Sequence, residues 1–231
     1  MHTKKGDRVC IVGYGPSRSQ CPFEDESFEI WGMNEIYQLV PRLDILFELH
    51  DRRHVIESFR NTNHWEWLTV SPIPVYMVQK FDEIQSSIAY PWAEIIATFG
   101  TFLTCQVSEM LALAMLMEYK EVHLYGIDLS SSKGFGKEYS KQKESIAHFV
   151  GIAIGKGIKV YIPRESTLLK TALIYGLQGS DEYRAALARL WSRNEEAAKK
   201  TEKEIKEATA SFWKSVGAME VLEELQIVEE D

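Results

Sequence analysis

The stretch Val9–Ser19, VCIVGYGPSRS, constrains this chain more than any other. A β-branched, apolar run that stops in Gly13-Tyr14-Gly15-Pro16-Ser17 has the pattern of a buried strand ending in a tight turn. At the C-terminal edge of a parallel sheet such a turn leaves backbone N–H groups that can hold a phosphate. It is not the dinucleotide fingerprint, because Pro16 stands where G-x-G-x-x-G would continue and Arg18 replaces the last glycine. Pro16 fixes φ and removes a donor, while Ser17 and Arg18 offer a hydroxyl and a charged group to an anion. The alternative is a plain strand-to-loop turn.

Further apolar runs after turn signals predict strands at Val9–Gly13, Phe28–Gly32, Leu43–Leu49, Pro74–Met77, Glu121–Gly126 and Ile158–Ile162. Between the last three, Ser108–Glu118 is apolar nearly all round and predicts a buried helix, whereas Ser140–Gly155 is amphipathic. Alternating strands and helices give an α/β fold with a Rossmann-like, mostly parallel sheet flanked by helices. Residues 51–100, with His64, Trp65, Trp67, Trp92 and three prolines, read as an irregular insertion or lid within a nucleotide-binding domain spanning 1–176. Residues 177–231 form a C-terminal helical extension. Its Glu- and Lys-rich first part and an apolar stripe at Phe212, Val216, Met219, Leu222 and Leu225 suggest a helical pair that packs on the domain or on a partner subunit of a homo-oligomer, or else a solvated helix folded back on its own chain.

Composition narrows the function classes. The 231 residues are 45% hydrophobic and carry a net charge of −8, which disfavours DNA or RNA as a long-range electrostatic partner. No apolar stretch reaches the ~20 residues of a membrane span. Cys10, Cys21 and Cys105 lack metal-ligand spacing and read as thiols of a reducing compartment, so the expectation is a cytoplasmic protein with no metal site of its own.

Chemistry-bearing residues gather at the predicted strand ends. Asn34 follows the second strand and offers donor and acceptor to a base or ribose, or else caps a turn. The third strand ends in LFELHDRRH, and alternation puts Glu48 and His50 on one face, where carboxylate and imidazole can act as base and orienter or as two metal ligands, or else form an exposed strand-end ion pair; no further triplet completes a metal site. In EVHLYGID, Gly126 permits close approach of a ligand and Asp128 can take a ribose hydroxyl or a metal-bound phosphate. The polar loop from Ser130 to Gly136 and the following Glu138, Tyr139 and Gln142 have the character of a closing loop.

Taken together, GYGPSRS, WGMNE and YKEVHLYGIDL resemble a Rossmann-like group comprising bacterial sialyltransferases, motility-associated factors that modify flagellin, and 6-hydroxymethylpterin pyrophosphokinases. The resemblance spans about residues 8–176. It implies nucleotide binding by Gly13 to Arg18, Asn34, Gly126 and Asp128. A T-S-G segment opening a helix in the sialyltransferases is matched loosely by Thr98–Thr101 or by Thr104-Cys105, and their histidine base falls near Glu138 or Tyr139. Tyr14 replaces the nucleotide-contacting Asn of their turn, so cytidine recognition does not carry over. W-G-M-N, F-E-L-H and E-Y-x-x-Q also resemble bacteriophage and prophage proteins.

The reading that follows is a transferase using a nucleotide-activated donor, a nucleotide-sugar glycosyltransferase of a phage or prophage, with Glu48, His50 or Glu138 as catalytic groups. Its nucleotide sugar is a substrate; the acceptor and any need for a divalent metal are open. The alternatives are a non-catalytic nucleotide-sequestering protein, a phage structural or assembly protein, and a pyrophosphokinase requiring Mg²⁺ and ATP.

Overall fold

The computed structural model describes residues 1–58, 63–129, 136–170, 175–176 and 180–229, without the side chains of 136–140 and 220–229. It divides into two compact units, Met1–Lys170 and Thr171–Asp231. The first is built on a seven-stranded, all-parallel sheet: β1 (Arg8–Val12), β2 (Glu29–Met33), β3 (Ile45–Glu48), β4 (Val75–Met77), β5 (Ser87–Ala89), β6 (Glu121–Tyr125) and β7 (Lys159–Tyr161). Their order is β5-β4-β3-β2-β1-β6-β7. The chain thus lays down five strands outward from β1, then crosses back to place β6 on its other side. That reversal between β1 and β6, where Val12 is level with Tyr125, opens a crevice beyond the strand ends.

Side-chain alternation explains the layers. Val9 and Ile11, Trp31 and Met33, Ile45 and Phe47 face one way and form the main core with α4 (Gln106–Leu116) and α5 (Gly136–Gly155). Cys10, Val12 and Ile30 point to the other face. There Leu46, Val75 and Met77 are covered by α1 (Arg52–Ser58) and α2 (His64–Thr69), with Val55, Trp65 and Leu68 as the packing residues. The sheet is covered on both sides, as an all-parallel sheet requires.

Segment 51–100 contains more regular structure than its sequence suggests: α1, α2, α3 (Trp92–Phe99) and two sheet strands, β4 and β5. β4 and β7 are as short as β5 but lie within the apolar runs Pro74–Met77 and Ile158–Ile162, whereas β5 reads Ser-Ile-Ala after another serine, which is why it has no signature. α4 and α5 lie where periodicity places them. α4 is buried almost throughout, and Ser108 closes its first turn by donating to the Cys105 carbonyl at 2.6 Å.

Opposite the crevice, at the entry edge of the sheet, a buried carboxylate ties down the first residues. Glu29 is 1% exposed. It accepts from His2 Nε2 at 2.7 Å, Tyr119 OH at 2.6 Å, Trp31 Nε1 at 3.1 Å and the Lys5 N–H at 3.1 Å. Burial alone would push its carboxyl up; these four donors outweigh that and hold it at about 2.

The second unit contains one continuous helix, α6 (Asp181–Glu229), rather than a helical pair. Nothing interrupts it: the sequence has no proline there, its lone Gly217 is tolerable at ~1 kcal/mol, and i,i+4 ion pairs such as Glu195–Lys199 and Glu202–Lys206 favour the helix.

Candidate functional site

The two loops that leave β1 and β6 meet at the crevice, and their glycines are explained by that meeting. Gly13 and Gly15 donate their N–H groups to the carbonyls of Tyr125 and Gly126, each at 2.8 Å. A Cβ on Gly13 would stand 2.6 Å from Ile127 and 2.7 Å from the Gly126 carbonyl, and one on Gly126, at φ +67°, would strike the Gly13 carbonyl. The glycines therefore let two backbones cross. Their N–H groups hold the neighbouring loop, so the turn is not the open anion cradle its sequence suggests.

Ser17 and Asp128 are likewise engaged with each other. The Ser17 hydroxyl donates to Asp128 Oδ1 at 2.7 Å, the Ser17 N–H to Oδ2 at 3.0 Å, and the Gly126 N–H to Ser17 Oγ at 2.8 Å. Both residues are buried. Thr167 bonds the Asp128 carbonyl from behind. Arg18 turns its guanidinium back on its own loop, donating to the Tyr14 carbonyl at 2.7 Å. Pro16 begins a short 3-10 turn, Pro16–Gln20, and neither it nor Ser17 nor Arg18 lines the crevice.

The crevice is a cleft of about 570 Å³. Gly13, Tyr14 and Gly15 from the first loop, Asn34 after β2, His50 after β3, and Gly126 and Asp128 after β6 line it. So do Thr104, Cys105, Gln106 and Val107, which open α4. Of the two loose matches to the helix-opening segment, Thr104-Cys105 is thus at the cleft, whereas Gly100 merely ends α3. The start of α4 brings the positive end of an 11-residue helix to the cleft.

Two amide oxygens stand out here. Asn34 sits at φ +51°, a conformation Asn tolerates, and its N–H bridges to the Phe47 carbonyl at 2.9 Å. Its Oδ1, and Oε1 of Gln106, are buried acceptors without a hydrogen-bond partner among the described residues. Both residues line the cleft, and buried polar atoms are normally satisfied, so a turn of either amide would present its acceptor to a ligand that brings donors.

Beside them lies an acid–histidine cluster. Glu48, the last residue of β3, is fully buried and held by two imidazoles: His50 Nδ1 at 2.7 Å from Oε1, and His64 Nε2 at 2.9 Å from Oε2. Burial pushes the Glu48 carboxyl up, but these hydrogen bonds prevail and hold it below the usual carboxylate value. The bond to Glu48 raises His50 above its usual value, against the opposing effect of burial. With Nδ1–H directed to Glu48, the lone pair of the neutral ring sits on Nε2. Gln106 Nε2 approaches the same ring at 3.5 Å, and nearby Glu109 is pushed up by burial to about 7.

Glu48 and His50 come together as alternation predicts, but His64 completes the cluster from α2, sixteen residues on. Its only sequence signal is a histidine among tryptophans. It is wholly buried, and its neighbour Tyr37 stacks on Trp67 at 3.7 Å and bonds His64 Nδ1 at 3.2 Å. Gln106 carries no sequence signal beyond opening a helix. The side chains of Glu138 and Tyr139 and the loop 130–135 lie outside the described residues. No group of three His, Cys, Asp or Glu side chains suited to a metal ion occurs among the described residues.

Fold and site together define an α/β protein with a Rossmann-like parallel sheet and a polar cleft at its topological switch point. No protein-family model matches the sequence, and no curated protein does. Among solved structures the chain is similar to the sialyltransferase CstII from Campylobacter jejuni in complex with the substrate analogue CMP-3FNeuAc, with 17% identity over 67% of this chain and 79% of that one and a TM-score of 0.45. It is also similar to the monofunctional α-2,3-sialyltransferase Cst-I from Campylobacter jejuni, with 11% identity over 84% of this chain and 97% of that one and a TM-score of 0.47. At such identities the likeness concerns the fold; activity has to be argued from the cleft.

Proposed function

We propose that this chain is a transferase that takes a nucleotide-activated sugar as donor, with His50 as general base. The observation that carries the reading is the buried Glu48 holding His50 at the mouth of a cleft also lined by two amides with orphan acceptors. Turned into the cleft, the orphan oxygens of Asn34 and Gln106 accept from the hydroxyl or amino groups of the donor's nucleoside. The start of α4 faces its phosphates. His50 Nε2 takes the proton of the acceptor hydroxyl as its oxygen forms a bond to the anomeric carbon; the bond from that carbon to the phosphate oxygen breaks, and the nucleotide leaves with the electron pair. Glu48 fixes the tautomer and steadies the imidazolium that results, and His64 holds Glu48 in place.

The acceptor is a cell-surface glycan or a small hydroxylated molecule, since a net charge of −8 disfavours duplex DNA. A phage or prophage source fits either. The test is a thermal-shift screen against nucleotides and nucleotide sugars, with and without Mg²⁺ or Mn²⁺, followed by a nucleotide-release assay with the ligand found. Selective stabilisation by one nucleotide sugar, with turnover lost in His50→Ala, supports the reading. Binding of a nucleotide with turnover unaffected by His50→Ala refutes His50 as base, and binding with no turnover in any condition assigns the chain to the nucleotide-sequestering class.

A further inference from the structure

The long helix of the second unit carries a pattern that the cleft does not use. At 100° per residue, every charged residue from Asp181 to Lys214 falls on one broad arc of α6, leaving a strip about 120° wide, from Tyr183 to Met219, that has none. Along this strip Trp191, Ala198, Ile205, Phe212 and Met219 recur every seven residues. A strict seven-residue repeat drifts by about 20° per step around a straight helix, the signature of a left-handed supercoil with a partner. The alternate positions, Asn194, Thr201, Ala208 and Ser215, are all small or short.

The strip is in water. Trp191 is 74% and Phe212 60% exposed, and Trp213, packed edge-on against Phe212 at 5.4 Å, is 64% exposed. Trp213 sits at the edge of the charged arc; on the strip itself, at ~150–250 Å² per aromatic side chain, Trp191 and Phe212 leave roughly 250 Å² exposed, and Leu187, Leu190, Ile205 and Met219, each 40% exposed or more, bring it to the size of the largest patch on a typical monomer. The charged arc is already laced by its own pairs, Lys199–Glu195, Lys203–Glu207 and Lys206–Glu202 among them. Charge on that arc therefore needs no second helix, whereas the strip does.

We propose that α6 pairs with α6 of a second copy of this chain, antiparallel. In an antiparallel pair each seven-residue position packs against an alternate position of the other helix, so large residues meet small ones: Ile205 beside Ala208, Phe212 beside Thr201. A parallel pair would stack Trp191 on Trp191 and Phe212 on Phe212, and bring the acidic ends together.

The experiment uses the full chain. Sedimentation equilibrium at micromolar concentration should give twice the 26.5 kDa chain mass, and Ile205→Lys should return it to one chain while Lys203→Glu, on the charged arc, leaves the dimer intact. Orientation is read by pulsed electron resonance with a nitroxide at Lys206→Cys or Arg189→Cys, in a Cys105→Ser background that leaves only buried native thiols. The antiparallel register predicts a short distance at 206, near its centre, and about 50 Å at 189, from a rise of ~1.5 Å per residue. A single-chain mass up to 100 μM overturns the proposal, as do equal short distances at both positions. Since neither wild-type measurement relies on Ile205→Lys folding, a misfolded variant cannot rescue or sink it.

Discussion

Replacing Glu29 by Gln removes the charge and keeps the shape, and the structure sets the size of the effect. Folding lowers this carboxyl from its usual 4.5 to about 2. At ~1.4 kcal/mol for each tenfold change in proton affinity, that amounts to about 3 kcal/mol of stability at neutral pH. Because the folded value is depressed, the contribution is fully present above pH 4.5 and is lost as pH falls towards 2. An amide also turns an NH₂ group towards donors from His2, Tyr119, Trp31 and Lys5. For a chain of this length 1 kcal/mol moves the melting temperature by ~2–4 °C, so Glu29→Gln should melt about 6–12 °C below the wild type at pH 7. Scanning fluorimetry at pH 7, 5, 4 and 3 should show the gap closing towards acid. A gap under 2 °C at pH 7, or one as wide at pH 3 as at pH 7, would show that the carboxylate is not held by these donors. The variant should bind cleft ligands normally, since Glu29 stands at the opposite edge of the sheet.

Gly126→Ala, which places a methyl against the Gly13 carbonyl at φ +67°, should cost about 2–5 kcal/mol, whereas Gly151→Ala on α5, with open space around it, should gain about 0.5–1 kcal/mol; urea midpoints compare them directly. His64→Ala leaves one oxygen of a fully buried carboxylate without its partner and should cost about 3–5 kcal/mol in the same assay, more than His50→Ala at the half-open end of the cluster. Once a donor is known, kcat/KM should rise with pH through a midpoint above 6.5, because His50 must be neutral to act as base and Glu48 raises it; Glu48→Gln should lower that midpoint as well as the rate, and Glu109→Gln separates the carboxyl that titrates near 7.

The sheet was legible where its strands lie in apolar runs or end in a glycine turn. β1 announces itself by the apolar run Val9–Val12, and both β1 and β6 by the glycines that end them, Gly13 and Gly126, while β5 reads only Ser-Ile-Ala. The pairing of Glu48 with His50 follows from strand periodicity alone, because both atoms belong to one local segment. His64 could not be placed, since its role depends on α2 folding back over the end of β3. The glycine turn taught a subtler lesson. Gly13, Gly15 and Gly126 are needed for the crossing of two loops, and sequence gives no means of telling that need from the need to hold a phosphate. In α6, the apolar stripe near the C-terminus suggested a second helix because the long charged run before it hides an uncharged strip that appears only when 49 residues are wound without a break.

The order of strands in the sheet also dictates when the cleft can exist. β1 to β5 pair with their sequence neighbours, so the first ninety residues can assemble by short-range closures as they emerge. The cleft cannot: Asp128, which lines it, is held by Ser17, 111 residues earlier. A chain interrupted before β6 would carry a formed half-sheet with an unpaired inner edge at β1 and no pocket. Ligand capture during synthesis would thus mark the moment the sheet closes on both sides of β1, and the unpaired β1 edge is where a stalled nascent chain would most need a chaperone.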